Sequence, residues 1–147
     1  MSETNNSVVN ITDTVKEAAK LAAQKYDAWQ KSHDAKIAAR PQFSASKEKI
    51  TKAGMLNTAA TLAEREWESM KASLMSVAHQ ANPKLLPQRP MDGSGHATWQ
   101  SQKASCDAVM RVALNQLLGE VATEQGLRVA ENNQFFDTPE VGTISRP

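Results

Sequence analysis

The chain has 147 residues, enough for one domain, and its 17 Lys and Arg against 16 Asp and Glu leave a formal charge of +1. That near-neutrality removes any bulk electrostatic drive toward nucleic acid or a membrane surface. Leu, Ile, Val and Phe total 26 residues and Ala alone 22, a composition that favours helix but supplies a thin core, because Ala loses no side-chain entropy in a helix and buries little surface. The high net charge that accompanies disorder is absent, so the chain is read as folded. A core this thin is best completed by apolar surface shared with another chain.

Residues 1–13 form a polar N-terminal segment. Residues 1–10 contain no basic region followed by an apolar one, and Ser2 stands where myristoylation needs glycine, so a cytoplasmic location is expected. The first helix is expected over residues 14–40. Thr14-Val15-Lys16-Glu17 has the form of a capping box, and Pro41 disfavours a helical residue before it. Val15, Ala18, Ala22, Tyr26, Trp29, His33 and Ile37 recur at steps of three and four and share one stripe.

Ser46 is the expected N-cap of a longer helix over residues 46–81, ending before Asn82-Pro83. Ala53, Leu56, Ala60, Ala63, Trp67, Met70, Leu74, Val77 and Ala81 alternate steps of three and four without a break, a coiled-coil-like heptad seam rich in small residues. Residues 82–97 read as a loop, stiffened by Pro83, Pro87 and Pro90 and turned by Asp92-Gly93-Ser94-Gly95. A third helix is expected over residues 98–125, stopped by Gly126, with Leu127 placed for the apolar contact of such a cap. Val109, Met110, Val112, Ala113, Leu114, Leu117, Leu118 and Val121 cover most of its circumference, which predicts burial on several sides.

Residues 127–147 lack a helical period and carry Phe135, Phe136, Val141 and Ile144 at wide spacing, as an extended arm along a surface would. The fold class read from these patterns is all-α, an elongated three-helix bundle with its helical domain over residues 14–126 and an extended C-terminal arm.

No pattern of catalytic chemistry emerges. His33, His79 and His96 are far apart, and none has a second ligand at a zinc-binding spacing. Cys106 is a single cysteine, read as a small core residue in a reducing compartment. The glycines around Asp92 match no phosphate-binding loop, and Glu64, Glu66 and Glu68 among Arg65 and Lys71 look like a solvated face. Pro87-Gln88-Arg89-Pro90 has the bare form of a proline-rich ligand, a pattern common by chance, and is read as a stiff spacer. The expectation is a protein that is not an enzyme, without cofactor, metal or small-molecule substrate. No apolar run approaches the roughly 20 residues of a membrane span, so no membrane partner is expected.

By elimination, the function expected is helical interaction or assembly, as a homo-oligomer or as a subunit of a larger complex, in the manner of a structural component or a small inhibitor. The candidate partner-binding residues are Trp67, Met70, Leu74, Trp99, Phe135 and Phe136, the large apolar groups of the seam, the third helix's start and the arm. A hairpin turning near Phe43 would set Trp29 opposite Asn57 and Trp67 opposite Ala19, so the tryptophans are expected to be separate anchors. The alternative is a nucleic-acid-binding regulator using a basic ridge of Lys16, Lys20, Lys31, Lys47, Lys49 and Lys52.

Overall fold

The computed structural model describes residues 9–85 and 95–138. It is all-α, with 80% of the described residues helical and no strand among them. The helices are α1 (Asp13–Ala38), α2 (Lys47–Ala81) and α3 (His96–Gln125), accompanied by single 3-10 turns at Pro83–Leu85 and Glu131–Asn133. The proline motif at residues 87–90 and the turn residues Asp92, Gly93 and Ser94 lie outside the described residues.

The helix ends follow local chemistry. α1 begins ahead of the Thr14 box, because Thr12 is the residue whose Oγ1 accepts the Val15 N–H, at 3.2 Å. That start places the Asp13 carboxylate in the first turn, where the helix dipole favours it, and seats Val15 fully inside the core. α1 ends at Ala38, short of Arg40, as Ala39 N–H turns back to Ala35 O at 3.1 Å and Arg40 N–H to Ile37 O at 3.3 Å ahead of Pro41. Ser46 caps α2 as its sequence position suggests, its Oγ accepting the Lys49 N–H at 3.3 Å. α3 starts two residues earlier than expected, after Gly95 at φ 72°. It ends in a Schellman motif: Gly126 has φ 71°, Gly126 N–H reaches Thr123 O at 3.1 Å, and Leu127 N–H reaches Ala122 O at 2.8 Å.

α1 and α2 form an antiparallel hairpin, the most extensive helix pair in the molecule. Its register is set by Asn10 against Asn82, Lys25 against Glu66 and Tyr26 against Trp67. The pairing is centred near Ser46 rather than Phe43, so α2 overshoots the end of α1. The link over residues 39–46 does not double back at once, and the shift moves every cross-helix neighbour by about two turns, Trp67 facing Tyr26 and not Ala19.

The third helix joins at the foot of this hairpin. The Cys106 thiol donates to Leu85 O, and His79 Nε2 lies 3.3 Å from Asp107 Oδ1, tying α3 to the end of α2. α3 then runs parallel to α1. It ends where the Gln125 amide meets Gln24 at 2.9 Å and Lys20 O at 3.4 Å. From there the chain returns toward the foot: Arg128 N–H donates to Asp27 Oδ1 at 3.0 Å, Asn115 brackets Phe136, and Arg111 Nη1 donates to Asp137 O at 2.8 Å. Asn132 and Asn133, at φ 57° and 56°, make the turn in this return. Gly119 lets it approach, since a Cβ there would lie 2.6 Å from Asn133 Oδ1.

One core cluster results, built from Val15, Ala19, Ala22 and Ala23 of α1, Trp67, Leu74 and Ala78 of α2, Met110, Ala113, Leu114, Leu117, Leu118, Val121 and Ala122 of α3, and Phe135 and Phe136 of the arm. Val9 of the nominally polar N-terminal segment is buried with them, held down by the Asn82 side chain clasping the Asn10 backbone. α3 is not buried all round. Val109 is 43% and Val112 58% exposed, because two neighbouring helices and the arm cover less than its apolar circumference.

Candidate interaction surface

The six expected partner-binding residues divide by burial. Trp67, Leu74, Phe135 and Phe136 lie inside the core, and Met70 packs against it. Tyr26 is the hub of the aromatic group: its ring meets Trp67 at 5.1 Å, Phe135 at 4.9 Å and Trp29 at 5.9 Å, all edge-on. The tryptophans of α1 and α2 are therefore not separate anchors, since the shifted register brings Trp67 onto Tyr26, which lies one turn from Trp29 on α1. Edge-to-face rings are the favoured arrangement, because the positive rim of one meets the negative face of the other. Lys71 Nζ sits 5.3 Å from the Trp67 ring and 6.0 Å from that of Phe136, covering the group from outside. Burial raises the Tyr26 phenol's pKa above its usual value. Trp99 is apart from this group, partly buried near the start of α3 with Lys103 Nζ 5.6 Å from its ring.

Two polar side chains hold the arm over the aromatic group. Asn115 is buried and makes both bonds to Phe136, accepting its N–H at 2.6 Å and donating to its C=O at 3.1 Å. Asp27, also buried, accepts Arg128 N–H and pairs with Lys31 Nζ at 2.9 Å. The hydrogen bond from Lys31 lowers the Asp27 pKa, with the Arg128 N–H adding to it, against the opposing effect of burial. A depressed folded-state value means that Asp27 contributes stability above its unfolded value, about pH 4, and that this contribution is lost as pH falls through the folded value. Replacing Asp27 by Asn is expected to flatten that acid limb, read as the difference in urea midpoint between neutral and acid pH. An unaltered pH slope in the variant would refute the assignment.

The expected basic ridge is not one patch. Lys20 pairs with Glu17 at 3.2 Å and Lys31 with Asp27, and exposed Lys16 stands near the foot of α1, more than about 30 Å of helix away from the tip. Lys47, Lys49 and Lys52 are at the hairpin tip, all exposed.

That tip is the part of the fold the core does not reach. No residue from 28 to 59 is buried, and Ile37, Phe43, Ile50 and Met55 are exposed there, Phe43 fully. In the same region Lys36, Arg40, Lys47, Lys49 and Lys52 stand against a single acid, Glu48, a local excess of +4 over residues 35–55. None of these five cations is in an ion pair among the described residues. Between the end of α1 and the start of α2 lies an open hollow of about 900 Å³, walled by Ala38, Ala39, Pro41 and Leu56 and edged by Arg40, Lys49 and Lys52. The sequence carries a signal for it: counting the α2 seam back one step from Ala53 reaches Lys49, a cation where the bundle below holds an apolar group.

Among the described residues no group of three or more His, Cys, Asp or Glu is placed to hold a metal ion, and no helix is long and apolar enough to cross a membrane. No protein-family model matches the chain, and neither a curated protein nor a solved structure does.

Proposed function

We propose that this chain is a non-enzymatic helical interaction or assembly protein, working in a cytoplasm as a homo-oligomer or as a subunit of a larger complex, and that the hairpin tip is its contact surface. One observation carries the reading: a well-formed helical hairpin projects past the last core layer and exposes Ile37, Phe43, Ile50 and Met55, which nothing in the described chain covers. Exposed apolar groups gathered on one end and rimmed by charge mark a site of association. The burial that the tip lacks is the burial a partner supplies.

Serine at Ile37, Phe43, Ile50 and Met55 together is expected to cost the isolated chain no more than about 2 kcal/mol, because exposed side chains contribute within about 0.5 kcal/mol each, so that it stays folded. The same variant is expected to lose the assembly found in the natural source, read as native mass against the 16.0 kDa of one chain. A native mass of one chain for the unaltered protein would refute the reading.

A second reading, a nucleic-acid-binding regulator, is favoured by the exposed, unpaired Arg40, Lys47, Lys49 and Lys52. It leaves the apolar groups beside them without a role, since phosphates contact cations and not Ile50 or Met55. Binding to duplex or single-stranded probes that weakens steeply with salt would support it.

A further inference from the structure

The tip of the hairpin and the outer face of α3 are complementary, and we propose that they bind one another between copies, the tip of one chain docking head-to-tail on the α3 face of a second copy. This rests on the interaction reading above and names its partner.

The tip is a three-helix bundle lacking its third member. α3 ends level with Gln24, and the last links upward are Arg128 N–H to Asp27 and Arg128 Nη1 to Asp34 at 2.8 Å. Beyond that level α1 and α2 continue as a pair, and residues 47–59 carry α2 about 20 Å past the core layer at Ala60. The hollow at this end has a small-residue floor and the cationic edge Arg40, Lys49 and Lys52, with no carboxylate lining it. The occupant it fits is a helix with modest apolar side chains next to unpaired carboxylates.

The chain itself exposes such a helix face. Val109, Val112, Gln116 and Glu120 recur at steps of three and four along α3, with Glu124 one turn further. Val109 and Val112 are exposed despite their chemistry, and Glu120 and Glu124 are exposed and outside every ion pair among the described residues. Of the acids of α2 below the tip, Glu66 is paired with Lys25 at 3.0 Å and Glu68 with Lys71 at 3.2 Å; Glu64 is exposed and outside the ion pairs, but the acid one turn from it, Glu68, is already paired, whereas Glu120 and Glu124 stand together one turn apart. The spacings also agree. Val112 to Glu120 spans about 12 Å of helix and Leu56 to Lys49 about 10 Å, so apolar can meet apolar while cation meets carboxylate.

Other self-contacts fit less well. Tip against tip brings +4 onto +4, and the exposed start of α3 at residues 98–105 carries Lys103 and no acid. The two proposed patches are different surfaces of one chain, so the contact is heterologous and copies add in series, closing into a ring or growing as a filament.

Sedimentation and light scattering of the purified full chain, up to about 1 mM, test this. The weight-average mass is expected to rise with concentration to about two-fold or more above one chain. It should return to the single-chain value in K49E/K52E and in E120K/E124K. Mixing the two variants in equal amounts should restore assembly, because the acidified tip then fits the basified face and the unaltered tip the unaltered face. All four positions are exposed, and the mixture guards against a variant that merely misfolds. A wild-type protein that stays at 16.0 kDa overturns the proposal, as does assembly that both charge reversals leave intact. If the purified chain is monomeric while the native complex is heavier, the self-contact is wrong and the interaction reading stands; if both are monomeric, both fall. A monomeric chain that binds a nucleic-acid probe through Lys49 and Lys52 overturns the self-contact in favour of the second reading.

Discussion

Replacing Trp67 by alanine is expected to lower stability by about 3–5 kcal/mol, the range for removing a buried Trp or Phe side chain. The large end of that range is the better guide here. Trp67 is 2% exposed and meets Tyr26 and Phe135 edge-on, with Lys71 over its ring, so one substitution removes apolar burial and three oriented contacts. The surrounding helices are rich in Ala, whose short side chains cannot swing into the vacated space, and a cavity that does not collapse retains its full penalty. A domain of this size is stable by only about 5–15 kcal/mol, so the variant approaches the unfolding threshold at room temperature. Equilibrium urea unfolding with an unchanged slope and a lowered midpoint is the expected record. A shift under about 1 kcal/mol would mean that Trp67 is not the centre of this core.

Much of this architecture is legible in the residues. From Ala60 to Ala81 the seam does face inward, Ser46 does cap α2, and Gly126 with Leu127 does close α3, because each depends on chemistry within a turn or two of itself. The hairpin register is not legible in the same way. Nothing local to Pro41 or Phe43 states how far α2 runs before it meets α1, and the answer lies in distant pairs such as Tyr26 with Trp67 and Asn10 with Asn82. The consequence for the site is direct: large apolar groups chosen for their chemistry alone, Trp67, Leu74, Phe135 and Phe136, are consumed by the fold. The exposed candidates are smaller and sit where the seam runs out of apolar residues, at Lys49 and Lys52, or where α3 has more apolar circumference than neighbours, at Val109 and Val112.

The arm is the element whose status most affects what this molecule can offer a partner, and Phe135 is where it is fastened. Alanine at Phe135 is expected to weaken docking by about 3 kcal/mol, the lower end for a buried Phe, because the ring lies between Tyr26 at 4.9 Å and Trp67 at 6.2 Å. The effect should be regional. Residues 127–138 are joined to the helices through a few identifiable links, the Asp27 bond to Arg128 and the Asn115 pair on Phe136, so they can open as a unit while the α1–α2–α3 contacts persist. Amide exchange at Phe136 and Arg128 should then accelerate roughly a hundred-fold, while amides of Leu114 and Leu118 change far less. Combined with Trp67→Ala, the two losses should fall short of additivity by about 0.5–1.5 kcal/mol, since each removes one side of the same ring contact. Strict additivity would show that the arm and α2 are stabilised independently, and uniform acceleration of all amides would show that the arm is inseparable from the global fold. Opening confined to the arm would instead uncover Tyr26 and Trp67 and free Phe136, adding a second exposed apolar patch to that of the hairpin tip.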